Sequence, residues 1–136
     1  MTAVSTESLR VEWTVLGIAA AVGFLAATFY LGTTPSDGLP GNDNDKVLHA
    51  LWFAMMVPAS LPAFWSLGCR RGWSLRRTLI IAAAYVLLAG GLLEIVQSFT
   101  GYRNGDWGDF VADVVGVTVV TALLLRVFAW RRKSRA

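Results

Sequence analysis

The stretch TLIIAAAYVLLAGGLLEIVQSF, residues 78–99, decides the fold of this 136-residue chain. No charged residue interrupts it before Glu94, and its length is close to the roughly 20 residues that an α-helix needs to cross a bilayer. Three similar apolar stretches cover residues 15–31, 47–67 and 110–130. They lack the period-two alternation of barrel strands, and backbone amides in lipid must be bonded within their own segment. The sequence therefore predicts an all-α protein, a four-transmembrane-helix bundle whose single domain covers residues 1–136.

The composition favours a membrane protein and excludes several other classes. Hydrophobic residues make up 55% of the chain and charged residues 15%, with a mean hydropathy of +0.54. Soluble domains carry more charge. The single cysteine, Cys69, cannot form an intrachain disulfide, and one cysteine with one histidine cannot build a structural zinc site. The net charge of +3 comes mainly from clusters beside the apolar stretches, so nucleic acid is not an expected partner.

Basic residues next to the apolar stretches predict the orientation of the helices. The connection GCRRGWSLRR, residues 68–77, and the tail residues 131–135 carry most of them and should face the cytoplasm. The other two connections carry one basic residue each, Lys46 and Arg103, and should lie outside. Both termini are then cytoplasmic. We interpret the first stretch as a retained helix rather than a signal peptide, because its apolar run is long and no small-residue cleavage site follows it.

Polar side chains that are costly in lipid occur on three of the predicted helices, near the outer membrane face. They form three pairs, each along one helical face: Asp45 and His49, Glu94 and Gln97, Asp109 and Asp113. An ionised side chain near mid-bilayer costs roughly 2.5–3.5 kcal/mol, so these pairs should face one another rather than lipid. Gly90 and Gly116 are small residues that let helices approach closely beneath such a pocket. The pattern predicts one polar pocket at the extracytoplasmic face.

Simpler structural roles exist for some of these residues. Asp109 could serve only as the N-cap of the fourth helix, where a carboxylate accepts from exposed backbone amides. Asp43 and Asp106 have the surroundings of solvated loop residues, and ionisable pairs can simply hold helices in register. Glu94 and Asp113 lie too deep in the predicted membrane for their short side chains to reach the interface, which favours a functional role.

Three motifs together resemble a known family. They are DKVLH at residues 45–49, EIVQ at residues 94–97 and GYRNGDWGDFVADVVG at residues 101–116. Their order and spacing resemble the VanZ-like family of small bacterial membrane proteins, named for a teicoplanin-resistance protein. The resemblance implies an envelope role in the bacterial inner (cytoplasmic) membrane and, for some members, reduced glycopeptide susceptibility. The family commonly carries asparagine where this chain has Asp113, which adds a negative charge to the pocket.

The first functional hypothesis is an envelope enzyme that hydrolyses or transfers an anionic, phosphate-bearing lipid or cell-wall precursor. Lys46 and Arg103 would hold the anionic group through charge-assisted hydrogen bonds. The predicted catalytic residues are His49, Glu94, Asp109, Asp113 and Asp45, and the predicted substrate-binding residues are Lys46, Arg103, Gln97 and Asp106.

Each predicted catalytic role follows from the chemistry of the side chain. His49 would act as general base or nucleophile, oriented by Asp45 or Asp109. Glu94, desolvated and near other acids, would act as general acid. Gln97 would donate to a developing oxyanion.

Other functions fit the same residues. A divalent cation such as Mg²⁺, Mn²⁺ or Ca²⁺ is a minority alternative, with donors from Asp45, His49, Glu94, Asp109 and Asp113. A non-catalytic binder of an envelope lipid or glycopeptide antibiotic would use Lys46 and Arg103 for affinity. An ion-coupled transporter is disfavoured, because the inner halves of the helices lack ionisable residues. The sequence is compatible with a bundle that is closed alone and with a homo-oligomer.

Overall fold

A computed structural model describes residues 6–34, 45–100 and 106–134, with side chains from residue 11 in the first segment and from residue 46 in the second. These residues form helices α1 (Thr6–Thr33), α2 (Asp45–Arg70), α3 (Leu75–Ser98) and α4 (Trp107–Lys133). The described residues contain no strand, which confirms the all-α prediction. All four helices are long and apolar enough to cross a membrane, which fits an integral membrane protein.

The helices extend beyond most of the boundaries that hydrophobicity predicts. Helix α1 begins at Thr6 rather than near residue 15, and α4 begins at Trp107 rather than near residue 110. Helix α2 continues to Arg70. Apolar runs mark the part of a helix that lipid can cover, whereas backbone hydrogen bonding continues through flanking residues such as Glu and Arg, which favour helix.

Helix α2 is the centre of the bundle. It packs on each of the other three helices and most extensively on α4, whereas α1 and α4 make no helix–helix contact within the described segments. Gly116 of α4 lies directly against the backbone of Ala50 in α2, so the two helices approach closely there. The buried core consists of Phe53, Met56, Val57, Val86, Leu93 and Val117.

Polar contacts join helix α1 to α2 and α3. The Tyr85 hydroxyl donates to the Ala21 carbonyl at 3.1 Å, and Trp52 Nε1 donates to Thr28 Oγ1 at 2.8 Å. About one turn before Ala21, near the middle of α1, Gly17 lies against Pro62 of α2. The contacts at Gly17 and Thr28 fix the separation between α1 and α2 that forms the cleft described below.

The two ends of the bundle differ in charge. Helices α1 and α3 end at the same end of the bundle where α2 and α4 begin. We call it the polar end, and it is defined by Lys46, His49, Glu94, Asp106, Asp109 and Asp113. The opposite, basic end carries Arg70, Arg71, Arg76, Arg77, Arg131, Arg132 and Lys133. The predicted site residues whose side chains are described therefore share one end of the bundle.

Candidate functional site

Helix α4 begins with a capping interaction that sets the register of its carboxylates. The Asp106 side chain accepts from the Gly108 backbone N–H at 2.7 Å, so Asp106 is the N-cap. Asp109 therefore lies in the first turn rather than at the cap, which corrects the capping alternative for Asp109. In that turn its carboxylate faces α2 and also suits the positive end of the helix dipole.

Lys46 connects the start of α2 to the start of α4. Its Nζ lies 2.9 Å from Asp106 Oδ2 and 3.3 Å from Asp109 Oδ1. The hydrogen bond from Lys46 lowers the pKa of the Asp106 carboxyl, and the Gly108 N–H adds to this effect. The Lys46 side chain is 57% exposed, so its ammonium is accessible from outside the bundle. Exposed pairs of this kind contribute little stability, so the cation is available for a ligand.

His49 contacts two carboxylates of α4. Its Nδ1 lies 3.3 Å from Asp113 Oδ1, and its Nε2 lies 3.9 Å from Asp109 Oδ2. The ring stacks on Phe53 at a centroid distance of 6.2 Å. Asp113 is fully buried, and an ionised carboxylate only accepts hydrogen bonds, so with Asp113 ionised the donor of this pair would be His49 Nδ1. Among the described carboxylates, the one nearest to His49 is thus Asp113 rather than the predicted Asp109. The side chain of Asp45, the other predicted partner, lies outside the described residues.

Glu94 brings α3 into the same cluster. Its Oε2 accepts the Asp106 backbone N–H at 2.7 Å, and the residue is only 3% exposed. Within the described segments, Glu94 Oε1 and Asp113 Oδ2 are buried without a hydrogen-bond partner. A buried carboxylate oxygen without a partner costs about 1–3 kcal/mol or more, so each of these oxygens calls for an explanation such as a water, an ion or a protonated carboxyl group.

Gln97 points to a different neighbour. Its Nε2 donates to the Gly32 carbonyl at 2.9 Å and so joins α3 to the end of α1. The amide therefore stabilises helix packing, and its role as an oxyanion donor stays a prediction. The predicted anion-binding residue Arg103 and the loop residue Asp43 lie outside the described residues.

Three of the predicted residues have the geometry of a metal-binding group. Ligand atoms of His49, Glu94 and Asp109 all lie within 4.8 Å of one another. The sequence indicates five possible ligands for a cation, and three of them form this group. Asp113 lies behind His49, because its Oδ1 contacts Nδ1 and its Oδ2 lies next to Gly90.

An apolar cleft of about 580 Å³ adjoins this cluster. It lies between α1 and α2 and is lined by Phe24, Thr28, Leu31, Leu48, Trp52 and Met55, among others. His49 is the only ionisable residue among its described lining residues. Leu31, Leu48 and Met55 are exposed, so the cleft opens on the outer surface of the bundle. Sequence reasoning missed it, because these side chains have the same character as residues that face lipid.

No family model matches the chain, and no solved structure matches it. Over 110 residues it is 34% identical to an uncharacterized protein of Schizosaccharomyces pombe. The match covers 80% of this chain and 61% of the fungal protein, so the chain spans less than two thirds of that relative's length. The resemblance to the VanZ-like family and the bacterial setting that it implies stay predictions.

Replacement of Gly90 with alanine tests how tightly Asp113 is held. A Cβ at this position would lie 2.8 Å from Asp113 Oδ2 and 3.1 Å from Phe53 Cε1, so the carboxylate must shift. We expect the variant to lose roughly 1–3 kcal/mol of unfolding free energy, measured by denaturant titration in micelles. Gly91→Ala is the matched control, since its Cβ meets Phe110 at an ordinary 3.5 Å. Equal stability of the two variants would contradict the close contact between Gly90 and Asp113.

Proposed function

We propose that this protein is a membrane enzyme that hydrolyses or transfers the phosphate-bearing headgroup of a lipid or lipid-linked cell-wall precursor. The observation that carries the proposal is the position of His49 where the polar cluster meets the apolar cleft. An amphipathic molecule can place its chain in the cleft while its headgroup lies among Lys46, Glu94 and Asp109. Sites for small molecules commonly combine an apolar wall with a few convergent polar groups.

The cluster offers the groups that phosphate transfer needs. With its proton on Nδ1 and directed to Asp113, His49 presents Nε2 as a base toward a water or an acceptor hydroxyl. The oxygen so activated would attack phosphorus, and Glu94 in its protonated form would donate a proton to the leaving oxygen. Lys46 would bind a phosphate oxygen, and Arg103 is proposed as a second contact to the anion.

The basic end supports an orientation in which the polar end is extracytoplasmic. Arg70, Arg71 and the tail residues 131–133 lie at one end, and an excess of Lys and Arg marks cytoplasmic segments. Both termini would then be cytoplasmic, and the lipid would enter from the outer leaflet. The proposed setting, the bacterial inner membrane with a role in the cell envelope and in glycopeptide susceptibility, rests on the resemblance to the VanZ-like family alone, and the fungal relative does not support it.

A second candidate is a binder that does not transform its ligand. The cleft favours it, because an apolar groove can hold a lipid chain without any chemistry at His49. Lys46 would then supply affinity for the headgroup or for an amphipathic antibiotic. Turnover separates the two functions, since a binder returns its ligand unchanged.

The test is turnover of defined lipids by the purified protein in vesicles. Phosphatidic acid, phosphatidylglycerol and a polyprenyl diphosphate are supplied, and products are followed by mass spectrometry. We expect turnover of at least one, slowed on the order of 100-fold or more in Glu94→Gln, which keeps an oxygen for the Asp106 N–H but cannot donate as an acid. Glu12→Gln, an exposed carboxylate on α1, should match the wild type. Lipid that binds but is recovered unchanged would support the binder, and neither binding nor turnover would contradict both.

A further inference from the structure

We propose that His49, Glu94 and Asp109 bind one divalent cation of the Mg²⁺ or Mn²⁺ class at the polar end. Their ligand atoms lie within 4.8 Å of one another. Two ligands of one such ion are separated by at most about twice the bond length, roughly 4.2 Å for Mg²⁺ and about 5 Å for Ca²⁺. The three side chains therefore need only small movements to share an ion.

The contact between His49 and Asp113 prepares the ring for such a role. A histidine that binds a metal through one nitrogen usually donates the other ring N–H to a carboxylate, which fixes the tautomer. Asp113 Oδ1 lies 3.3 Å from Nδ1 and would accept from it in that tautomer, while Nε2 lies 3.9 Å from Asp109 Oδ2. Asp113 is thus a positioning residue, and Nε2 is the nitrogen offered to the ion.

Glu94 gives an independent indication of a ligand. The residue is 3% exposed, and its Oε1 has no hydrogen-bond partner among the described residues, while Oε2 accepts the Asp106 N–H. Oxygens without partners are uncommon in folded proteins, and an ion is one of the groups that account for them. A cation held with His49 and Asp109 would complete the coordination of this carboxylate.

The charges of the cluster point the same way. Four carboxylates, from Glu94, Asp106, Asp109 and Asp113, share the described cluster, and Lys46 pairs with two of them, Asp106 and Asp109. Ionised carboxylates repel a phosphate, and a cation between them would reduce this repulsion; Mg²⁺ is commonly held by one or two carboxylates together with substrate phosphates. The ion would occupy His49 Nε2 and the Glu94 carboxylate, so with the ion bound these two groups would hold it instead of serving as base and acid, and the ion would activate the water. This use of the ion rests on the proposed function, and its binding is measured separately.

Binding of Mn²⁺ to the purified protein in detergent tests the assignment. Electron paramagnetic resonance reports the loss of the free-ion signal on binding, and electron spin echo modulation detects a directly bound ¹⁴N. We expect one Mn²⁺ per chain with a nitrogen ligand, displaced by excess Mg²⁺. Glu94→Gln and Asp109→Asn should each weaken Mn²⁺ binding by more than roughly 10- to 100-fold, because loss of an outer-shell partner alone costs that much affinity.

Asp106→Asn is the matched control, because asparagine keeps the N-cap and the backbone N–H to Glu94. It should retain the nitrogen signal and most of the affinity, and circular dichroism verifies that every variant is folded. No binding by the wild type at millimolar Mn²⁺, or equal binding by folded Glu94→Gln and Asp109→Asn, overturns the assignment. Mn²⁺ binding without lipid turnover would contradict the proposed function alone, and lipid turnover by a wild-type protein that binds no Mn²⁺ would contradict the cation alone.

Discussion

Gly116→Ala is expected to lower the free energy of unfolding by about 3 kcal/mol or more, because overpacking typically costs roughly 1–3 kcal/mol. A Cβ at this position would overlap the carbonyl oxygen of Ala50, and the next nearest atoms are also Ala50 backbone. A backbone cannot rotate away as a side chain can, so α2 and α4 must separate. The unfolding free energy in mixed micelles measures the effect.

Gly23→Ala is the matched control for this prediction. No atom lies within 4 Å of a Cβ at Gly23, which is also inside a transmembrane helix. Alanine favours helix over glycine by up to about 1 kcal/mol, so this variant should be unchanged or more stable. A Gly116→Ala protein as stable as Gly23→Ala would show that α2 and α4 do not pack as closely as described.

His49→Gln is expected to lower the rate of lipid turnover by roughly 100- to 10,000-fold, the contribution of a general base. Glutamine can still donate to Asp113, so the variant avoids leaving a buried carboxylate without its donor, and the fold should persist. Turnover of the best lipid substrate, with circular dichroism as the folding control, measures it. A folded variant with the wild-type rate would remove His49 from the mechanism.

Sequence periodicity predicts the helices and the convergence of the polar pairs, but not every partner within the site. Residues three apart on a helix differ by about 60° in direction, since the period is 3.6. Glu94 therefore reaches α4, while Gln97 reaches Gly32 of α1. Predicting which carboxylate of α4 meets His49 requires the crossing of α2 and α4, which the contact between Gly116 and Ala50 sets.

The remaining differences have equally local causes. A carboxylate three residues earlier, Asp106, takes the capping position that the sequence also allows for Asp109, and this shift places Asp109 beside Lys46 and His49. The cleft depends on the separation of α1 from α2, and no polar signal in the sequence marks it. The roles of Arg103 and of the Asp45 side chain stay predictions.

The account's central claim is that side chains from α2, α3 and α4 act together as one site. The most direct test is lipid turnover by the double variant carrying His49→Gln and Glu94→Gln, compared with each single variant and the wild type. Residues that act as a unit give strongly non-additive losses, so the double variant should be about as slow as the slower single variant. Losses that multiply would show independent contributions and contradict a shared site.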